Sequence, residues 1–96
     1  MAMVGGMKAP EPATAEVQEL LDGIRKEVEE KAGSSFAAYE AKLYATQLVN
    51  GVNYFVKVHV GDEKFVHIRF HKAFSGTVTL SNIQHSKVEA DPLSYF

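Results

Sequence analysis

Apolar and polar positions alternate along the second half of the chain, most regularly after residue 51. Every second residue from Val52 to Val60 is apolar, and the residues between them are Asn53, Phe55, Lys57 and His59. A period of two is typical of a β-strand with one buried face, although Phe55 makes the opposite face less than fully polar. Asn50-Gly51 directly precedes this strand, and both residue types tolerate the positive φ of a hairpin turn. The pattern therefore predicts two antiparallel strands joined at residues 50–51.

An upstream segment has the period of an α-helix. Its apolar residues recur at spacings of three and four, as Val17, Leu20, Leu21, Ile24 and Val28. Thr14 is a suitable N-cap, Gly33 a suitable C-terminal stop, and Gly23 a weak point inside the segment. The sequence therefore predicts one helix from about Ala15 to about Ala32, with its apolar stripe packed on a sheet.

The remaining segments read as strands separated by short turns. A first long strand is predicted over Phe36–Val49, a third over Phe65–Phe70 and a fourth over about Thr77–Gln84, with turns at residues 61–63 and 75–76. Short turns join only antiparallel neighbours, so the strands form a meander. We therefore expect an α+β fold, with one long helix packed across a curved antiparallel sheet.

The two ends of the chain complete this organisation. Residues 1–13 contain Gly5-Gly6, Pro10 and Pro12 without any periodic pattern, which predicts a flexible or extended arm. The last residues, Leu93–Phe96, are mostly apolar and are expected to dock on the body of the fold. A length of 96 residues then corresponds to one domain, 1–96, with 1–13 as its arm.

Composition and charge narrow the possible functions. The formal net charge of −2 and the scattered basic residues give no footprint for nucleic acid or for a membrane surface. The chain has no cysteine, which excludes disulfides, a catalytic thiol and thiolate metal sites. No signal peptide or membrane-spanning segment is recognisable, so we expect neither.

No combination of residues in the sequence indicates catalysis. His67 and His71 are four residues apart, but they lie in a predicted strand and lack the glutamate of a helical zinc motif. His59 and His67 are expected on the outward face of neighbouring strands, as surface histidines and not as metal ligands. No serine has the setting of a nucleophile, and no glycine-rich phosphate loop occurs. We therefore expect a binding protein and not an enzyme, without metal or cofactor.

The predicted turns contain unusual residues. Leu48 and Val49 directly precede the turn at residues 50–51, and Phe74 directly precedes the turn at residues 75–76. In a meander these two turns lie at the same end of the sheet, because each strand reverses direction. Exposed apolar side chains there would form a contact surface, and the alternative is that they fold back into the core.

Several of these stretches resemble the stefins of the cystatin superfamily. Gln47-Leu48-Val49-Asn50-Gly51, followed by Asn53-Tyr54-Phe55, is similar to the Gln-Val-Val-Ala-Gly…Asn-Tyr-Phe hairpin of the cystatin B type. The similarity continues through residues 56–62, 65–69 and 79–82 to the Tyr95-Phe96 ending, so it covers most of the chain. The resemblance implies a long helix wrapped by a sheet of four or five antiparallel strands.

The resemblance also implies an activity, which is reversible inhibition of papain-like cysteine proteases of the cathepsin type. The family inserts a three-part wedge into the protease cleft, formed by the arm and two hairpins. Carried over by position, the protease-binding residues are Gly5, Gly6, Gln47, Leu48, Val49, Asn50, Gly51, Phe74 and Ser75. Together with the absence of cysteine and of a recognisable signal peptide, the same resemblance leads us to expect a cytoplasmic location.

Three departures from the family pattern affect this expectation. Leu48 replaces a valine, Asn50 replaces the small alanine at the tip, and Phe74 stands in a shorter second hairpin that lacks a Leu-Pro pair. They predict inhibition that is weaker or more selective than is usual for stefins. The alternative is a stefin-fold binding module or scaffold that no longer inhibits. Because Asn50-Gly51 favours the closed turn, we expect a monomer, although the family can exchange its helix and first strand to form a swapped dimer.

Overall fold

A computed structural model describes residues 7–94 and 96, and all structural statements refer to these residues. Its elements, in chain order, are β1 (Glu11–Pro12), α1 (Ala15–Gly23), α2 (Arg25–Ala32), β2 (Glu40–Leu48), β3 (Val52–Gly61), β4 (Lys64–Lys72) and β5 (Val78–Lys87). The strands form one sheet in the order β1-β2-β3-β4-β5, and each pairs antiparallel with its neighbour. The predicted α+β meander is confirmed. The short β1 adds one more strand at the edge of the sheet, next to β2.

The helical region departs from the prediction of one continuous helix, because it is divided at Ile24. Ile24 has φ −114° and ψ 10°, outside the helical region, and it ends α1 and precedes α2. Gly23 stands just before the break, and glycine is the weakest helix former after proline. The predicted ends are confirmed: the Thr14 hydroxyl accepts from Val17 N at 3.2 Å, and Gly33 closes α2 with φ 77°.

One face of the sheet packs on the two helices, as the alternation predicts. The helices contribute Val17, Leu21 and Val28, and Ile24 joins them from the break between α1 and α2. Strands β3 and β4 contribute Val56, Val58, Val66, Ile68 and Phe70, and all of these side chains are buried. Tyr39, in the connection to β2, is also buried, and its hydroxyl donates to Leu21 O at 2.9 Å. Burial raises the pKa of this phenol, so it remains a neutral donor.

The opposite face of the sheet, here called the back face, is also buried, which the sequence did not predict. We define it by Asn53, Phe55, Lys57, His67 and Arg69, which share one side of the β3–β4 pair. The C-terminal segment, residues 88–94 and 96, crosses over it. Leu93 is buried against Phe55, and the Phe55 and Phe96 rings meet edge-on at 5.8 Å. The expected docking of the C-terminus is confirmed for Leu93 and Phe96, while Tyr95 lies outside the described residues.

Cationic side chains hold this segment in place. Lys57, only 5% exposed, donates from Nζ to Glu89 O at 2.6 Å, and Arg69 donates from Nη1 to Phe96 O at 2.6 Å. Hydrogen bonds from charged donors are among the stronger ones in proteins. The expectation that β3 has a single buried face is therefore wrong, because a remote part of the chain covers the other face.

The prediction that His67 is a surface histidine is also wrong, because its side chain is fully buried. Its cross-strand partner on β3 is Lys57, whereas His59 pairs with Phe65. Burial, followed by the charges of Lys87 and Lys57, lowers the pKa of His67 to about 4, against an opposing effect of Asp91. Neither ring nitrogen has a hydrogen-bond partner within the described part of the chain.

Candidate functional site

The first hairpin ends in a short loop whose backbone adopts unusual torsion angles. Strand pairing stops at Leu48 and Val52, which leaves Val49, Asn50 and Gly51 to make the connection. Asn50 has φ 47° and Gly51 has φ 113°, so the predicted positive φ of both residues is confirmed. Val49 N donates to Gly51 O at 3.1 Å inside the loop. The connection is longer by one residue, Val49, than the two-residue turn that Asn-Gly favours.

The second hairpin loop is closed by its own backbone. Ala73 N donates to Thr77 O at 2.8 Å, and Gly76 N donates to Ala73 O at 2.9 Å. These two bonds place Phe74 and Ser75 at the corners of the turn, with Gly76 at φ 99° behind them. The loop therefore presents one large apolar side chain on a defined turn.

Apolar side chains at both tips face solvent. Leu48 is 66% exposed, Val49 40% and Phe74 83%. The alternative that these side chains fold back into the core is wrong. Asn50 and Ser75 are exposed as well, whereas Gln47 is half-buried and Gly51 is buried. We call Leu48, Val49 and Phe74 the apolar tips.

The two hairpins adjoin each other at one end of the sheet, as the meander predicts. A Cβ atom on Gly51 would collide with Lys72 O, and it would lie 3.0 Å from His71 Nε2 and 3.1 Å from Ala73 Cα. His71 Nε2 lies 3.1 Å from Val49 O. The first loop therefore rests against the base of the second hairpin.

The described part of the N-terminal arm is extended along β2. Ala13 N donates to Lys42 O at 3.0 Å, and Lys8 N donates to Thr46 O at 2.9 Å. Going back from Ala13 to Lys8, the arm approaches the end of β2 that carries Leu48. Gly5 and Gly6, the expected protease-binding residues of the arm, lie outside the described residues.

The sequence is similar to known proteins along almost the whole chain. The profile of the cystatin domain matches residues 5–90. The chain is 43% identical to Cystatin-B of Oplegnathus fasciatus over 97 residues, which covers 98% of this chain and 97% of that protein. It is 44% identical to Cystatin-B of Homo sapiens over 97 residues, covering 98% and 99%. Cystatin-A of Mus musculus is 43% identical over 94 residues, covering 96% and 97%.

The chain belongs to the cystatin family. Within this family it is a stefin of the cystatin B type, as the resemblance of the hairpin and C-terminal motifs implied. The cystatins are a family of cysteine protease inhibitors. None of the helices in the described part of this cystatin is long and apolar enough to cross a membrane.

The tips of this cystatin are suited to an apolar cleft. Residues 47–51 and 73–77 contain no charged side chain. Burying them against a partner therefore requires no desolvation of an ion, which is a costly step. The arrangement offers apolar surface and backbone hydrogen-bonding groups, and no group of three or more His, Cys, Asp or Glu among the described residues could hold a metal.

Two further residues support the hairpins of this cystatin, and the sequence did not single out either for this role. Asn53 is buried, and its Nδ2 donates to Gln47 Oε1 at 2.9 Å across the β2–β3 pair. His71 contacts the Val49 carbonyl, as described above. The signal that finds them is the strand register, which pairs Gln47 with Asn53 and Asn53 with His71.

Proposed function

We propose that this cystatin reversibly and tightly inhibits papain-like cysteine proteases of the cathepsin type, and that it is not an enzyme. The observation that carries the proposal is the exposure of the three apolar tips on adjoining loops. Exposed apolar groups at loop tips are typical of a contact surface, since such groups are usually buried. Membership of an inhibitor family supports the same conclusion.

The proposed inhibitory wedge has three parts, assigned by position in the chain. The first hairpin and the second hairpin would enter the protease cleft, and the arm would add to the contact. The residues assigned to protease binding are Gly5, Gly6, Gln47, Leu48, Val49, Asn50, Gly51, Phe74 and Ser75. Leu48, Val49 and Phe74 are the anchors, while Asn50 and Gly51 give the first loop its shape.

The backbone of the first loop explains how such a wedge would block a protease without being cleaved. With φ 47° at Asn50 and φ 113° at Gly51, the loop does not present an extended peptide bond to the catalytic cysteine. The wedge would fill the cleft beside that cysteine and exclude substrate. A loop already fixed in shape loses little entropy on binding, which favours affinity for a given contact area.

The departures of this sequence from the family pattern bear on affinity. Asn50 is exposed at the tip of the first loop, where its polar side chain would have to fit the cleft. Phe74 is the single large apolar residue of the second loop. The loss of one good apolar contact costs about 1–3 kcal/mol, equivalent to about 5- to 150-fold in affinity. We therefore propose weaker or more selective inhibition than is usual for stefins.

Titration of papain activity tests the proposal, with Asn50→Ala as the informative variant and Asn82→Ala, on β5, as its matched control. We expect stoichiometric inhibition, with the inhibitor recovered uncleaved by mass spectrometry. Tighter inhibition by Asn50→Ala would identify a steric cost of Asn50, and weaker inhibition would identify a stiffening role. Absence of inhibition by the wild-type protein and by Asn50→Ala would overturn the proposal in favour of the non-inhibitory binding module.

We also infer that the protein is a monomer in the cytoplasm. Opening the first hairpin for a domain swap would need extended backbone at Asn50 and Gly51, both of which have positive φ in the closed loop. Gel filtration tests this inference, and a dimer whose residues 45–55 run straight through between two subunits would contradict it. The location rests on the likeness to the stefins, and fractionation of cells with an antibody tests it.

A further inference from the structure

His71 lies at the junction of the two hairpins. It is the residue of β4 that pairs with Asn53 on β3 and with Thr79 on β5, one residue before the last residue of the strand, Lys72. From this position its ring reaches the first loop, and Nε2 lies 3.1 Å from Val49 O. The contact joins residues that are far apart in the sequence.

The chemistry of this contact determines which ring nitrogen carries the proton. A carbonyl oxygen can only accept a hydrogen bond, so Nε2 must be the donor. Val49 lies beyond the last pair of the β2–β3 ladder, Leu48 and Val52, and its carbonyl has no strand partner there. The imidazole therefore replaces a ladder hydrogen bond at the point where the strands end.

A second contact acts on the same loop from the same side. The Cβ position of Gly51 lies within 3.1 Å of both His71 Nε2 and Ala73 Cα, so the loop backbone rests directly on the end of β4. Close packing limits how near the loop can approach, and the His71 hydrogen bond opposes its withdrawal. Because Phe74 follows Ala73 in the chain, this arrangement fixes the first loop relative to the second apolar anchor.

We infer that His71 is a positioning residue that holds the first hairpin loop against the second before a protease binds. This inference rests on the proposed inhibitory function, since its consequence is preorganisation of the wedge. A single hydrogen bond from a side chain contributes modestly, so its loss should weaken protease binding about 2- to 10-fold.

Two substitutions separate the hydrogen bond from the ring. His71→Phe keeps a planar ring but removes the donor, whereas His71→Gln removes the ring and supplies an amide donor at about the position of Nε2. His85→Phe, at an exposed site on β5, is the control for adding a phenylalanine to the surface. Each protein is titrated against papain, and amide hydrogen exchange is measured at residues 49–51 in the free protein.

We expect His71→Phe to inhibit papain about 2- to 10-fold more weakly and to exchange faster at residues 49–51. His71→Gln should restore most of both properties, and His85→Phe should match the wild-type protein. Long-range ¹⁵N–¹H spectra of the wild-type imidazole in its neutral form should show the proton on Nε2.

Unchanged exchange and inhibition in His71→Phe would overturn the inference, and so would a His71→Gln variant as impaired as His71→Phe. A wild-type ring with its proton on Nδ1 would overturn it without any variant. If the wild-type protein does not inhibit papain, the proposed function fails, while the exchange and tautomer measurements still decide the role of His71.

Discussion

The hairpin end of the sheet and the centre of its back face both depart from the usual pattern, in which apolar side chains are buried and polar side chains are exposed. At the hairpin end, Leu48 and Phe74 are apolar and exposed. On the back face, Lys57 and His67 are polar and buried. The first departure leaves surface free for a partner, and the second exists because the chain's own C-terminal segment covers the face.

An exposed apolar group and a buried polar group therefore have different structural support in this protein. The apolar tips are supported by backbone: positive φ at Asn50 and Gly51, and close contact of Gly51 with the end of β4. The back face is supported by a cover: Lys57 donates to the backbone of residue 89, and Leu93 packs on Phe55. Substitutions in the two regions distinguish these two kinds of support.

Substitution of Gly51 tests the backbone support most directly. Gly51→Ala would combine a strained φ of 113° with a collision against Lys72 O, and should lower the free energy of unfolding by about 3–5 kcal/mol. Gly76→Ala is the matched control, because Gly76 also has positive φ but has nothing within 4 Å of its Cβ position. Urea unfolding should show a clearly smaller loss for the control, and equal losses would show that the contact with β4 is unimportant.

Substitution of His67 tests the cost of the buried back face through pH. The folded state holds the pKa of His67 at about 4, below its ordinary value of 6.5, so between these values the unfolded chain binds a proton that the folded chain does not. Above about pH 6.5, protonation of His67 does not lower the free energy of unfolding. As the pH drops towards 4, the free energy of unfolding falls by at most about 3 kcal/mol because of this group. His67→Leu should remove this dependence, because it removes the titrating imidazole. It also removes two buried ring nitrogens that have no hydrogen-bond partner among the described residues.

Urea unfolding at several pH values between 4 and 7 measures this difference for the wild-type protein and His67→Leu. His85→Leu, at an exposed site, is the control and should keep the wild-type pH dependence. A variant His67→Leu that loses stability in acid as steeply as the wild-type protein would show that other groups cause the loss.

Truncation of Phe74 tests whether the hairpin end contributes to binding a partner and not to the stability of the fold. Because Phe74 is 83% exposed, Phe74→Ala should change the free energy of unfolding by less than about 0.5 kcal/mol. Its affinity for papain should fall about 5- to 150-fold, as expected for one lost apolar contact. Val88→Ala removes another exposed apolar side chain, outside the two loops at residues 49–51 and 73–77, and should leave papain affinity unchanged. Equal affinities of both variants would exclude Phe74 as an anchor.

Substitution of Lys57 tests the cover of the back face, and its expected effect is smaller than the loss of affinity expected for Phe74→Ala. Lys57→Met keeps the buried aliphatic chain and loses one hydrogen bond to Glu89 O, an acceptor that belongs to an exposed residue and can bind water instead. The free energy of unfolding should change by about 1 kcal/mol or less, while amide exchange in residues 88–94 becomes faster. It also removes one of the two lysines that lower the pKa of His67, so the acid dependence should become shallower. A loss above about 3 kcal/mol would show that the cation is essential to the cover.

Much of the fold could be predicted because its signals are local. The alternation of β3, the Asn50-Gly51 turn and the Thr14 and Gly33 helix ends each depend on residues close together in the sequence. From the sequence, Leu48 and Phe74 could either be exposed or fold back into the core. The conformation of the two adjoining loops and their backbone contacts determines that they are exposed.

Local residue patterns in the sequence determine which residues of β3 share a face, where the chain turns, and which residues stand at the tips; in β2 a register shift between Ala41 and Leu43 interrupts the alternation. The tertiary structure decided that the back face is buried, that His67 lies inside, and that His71 reaches Val49. The physical reason is that a period of two records only the side on which a residue lies. Whether that side meets water depends on a segment far along the chain, here residues 88–94 and 96, and on the register that places distant residues opposite each other.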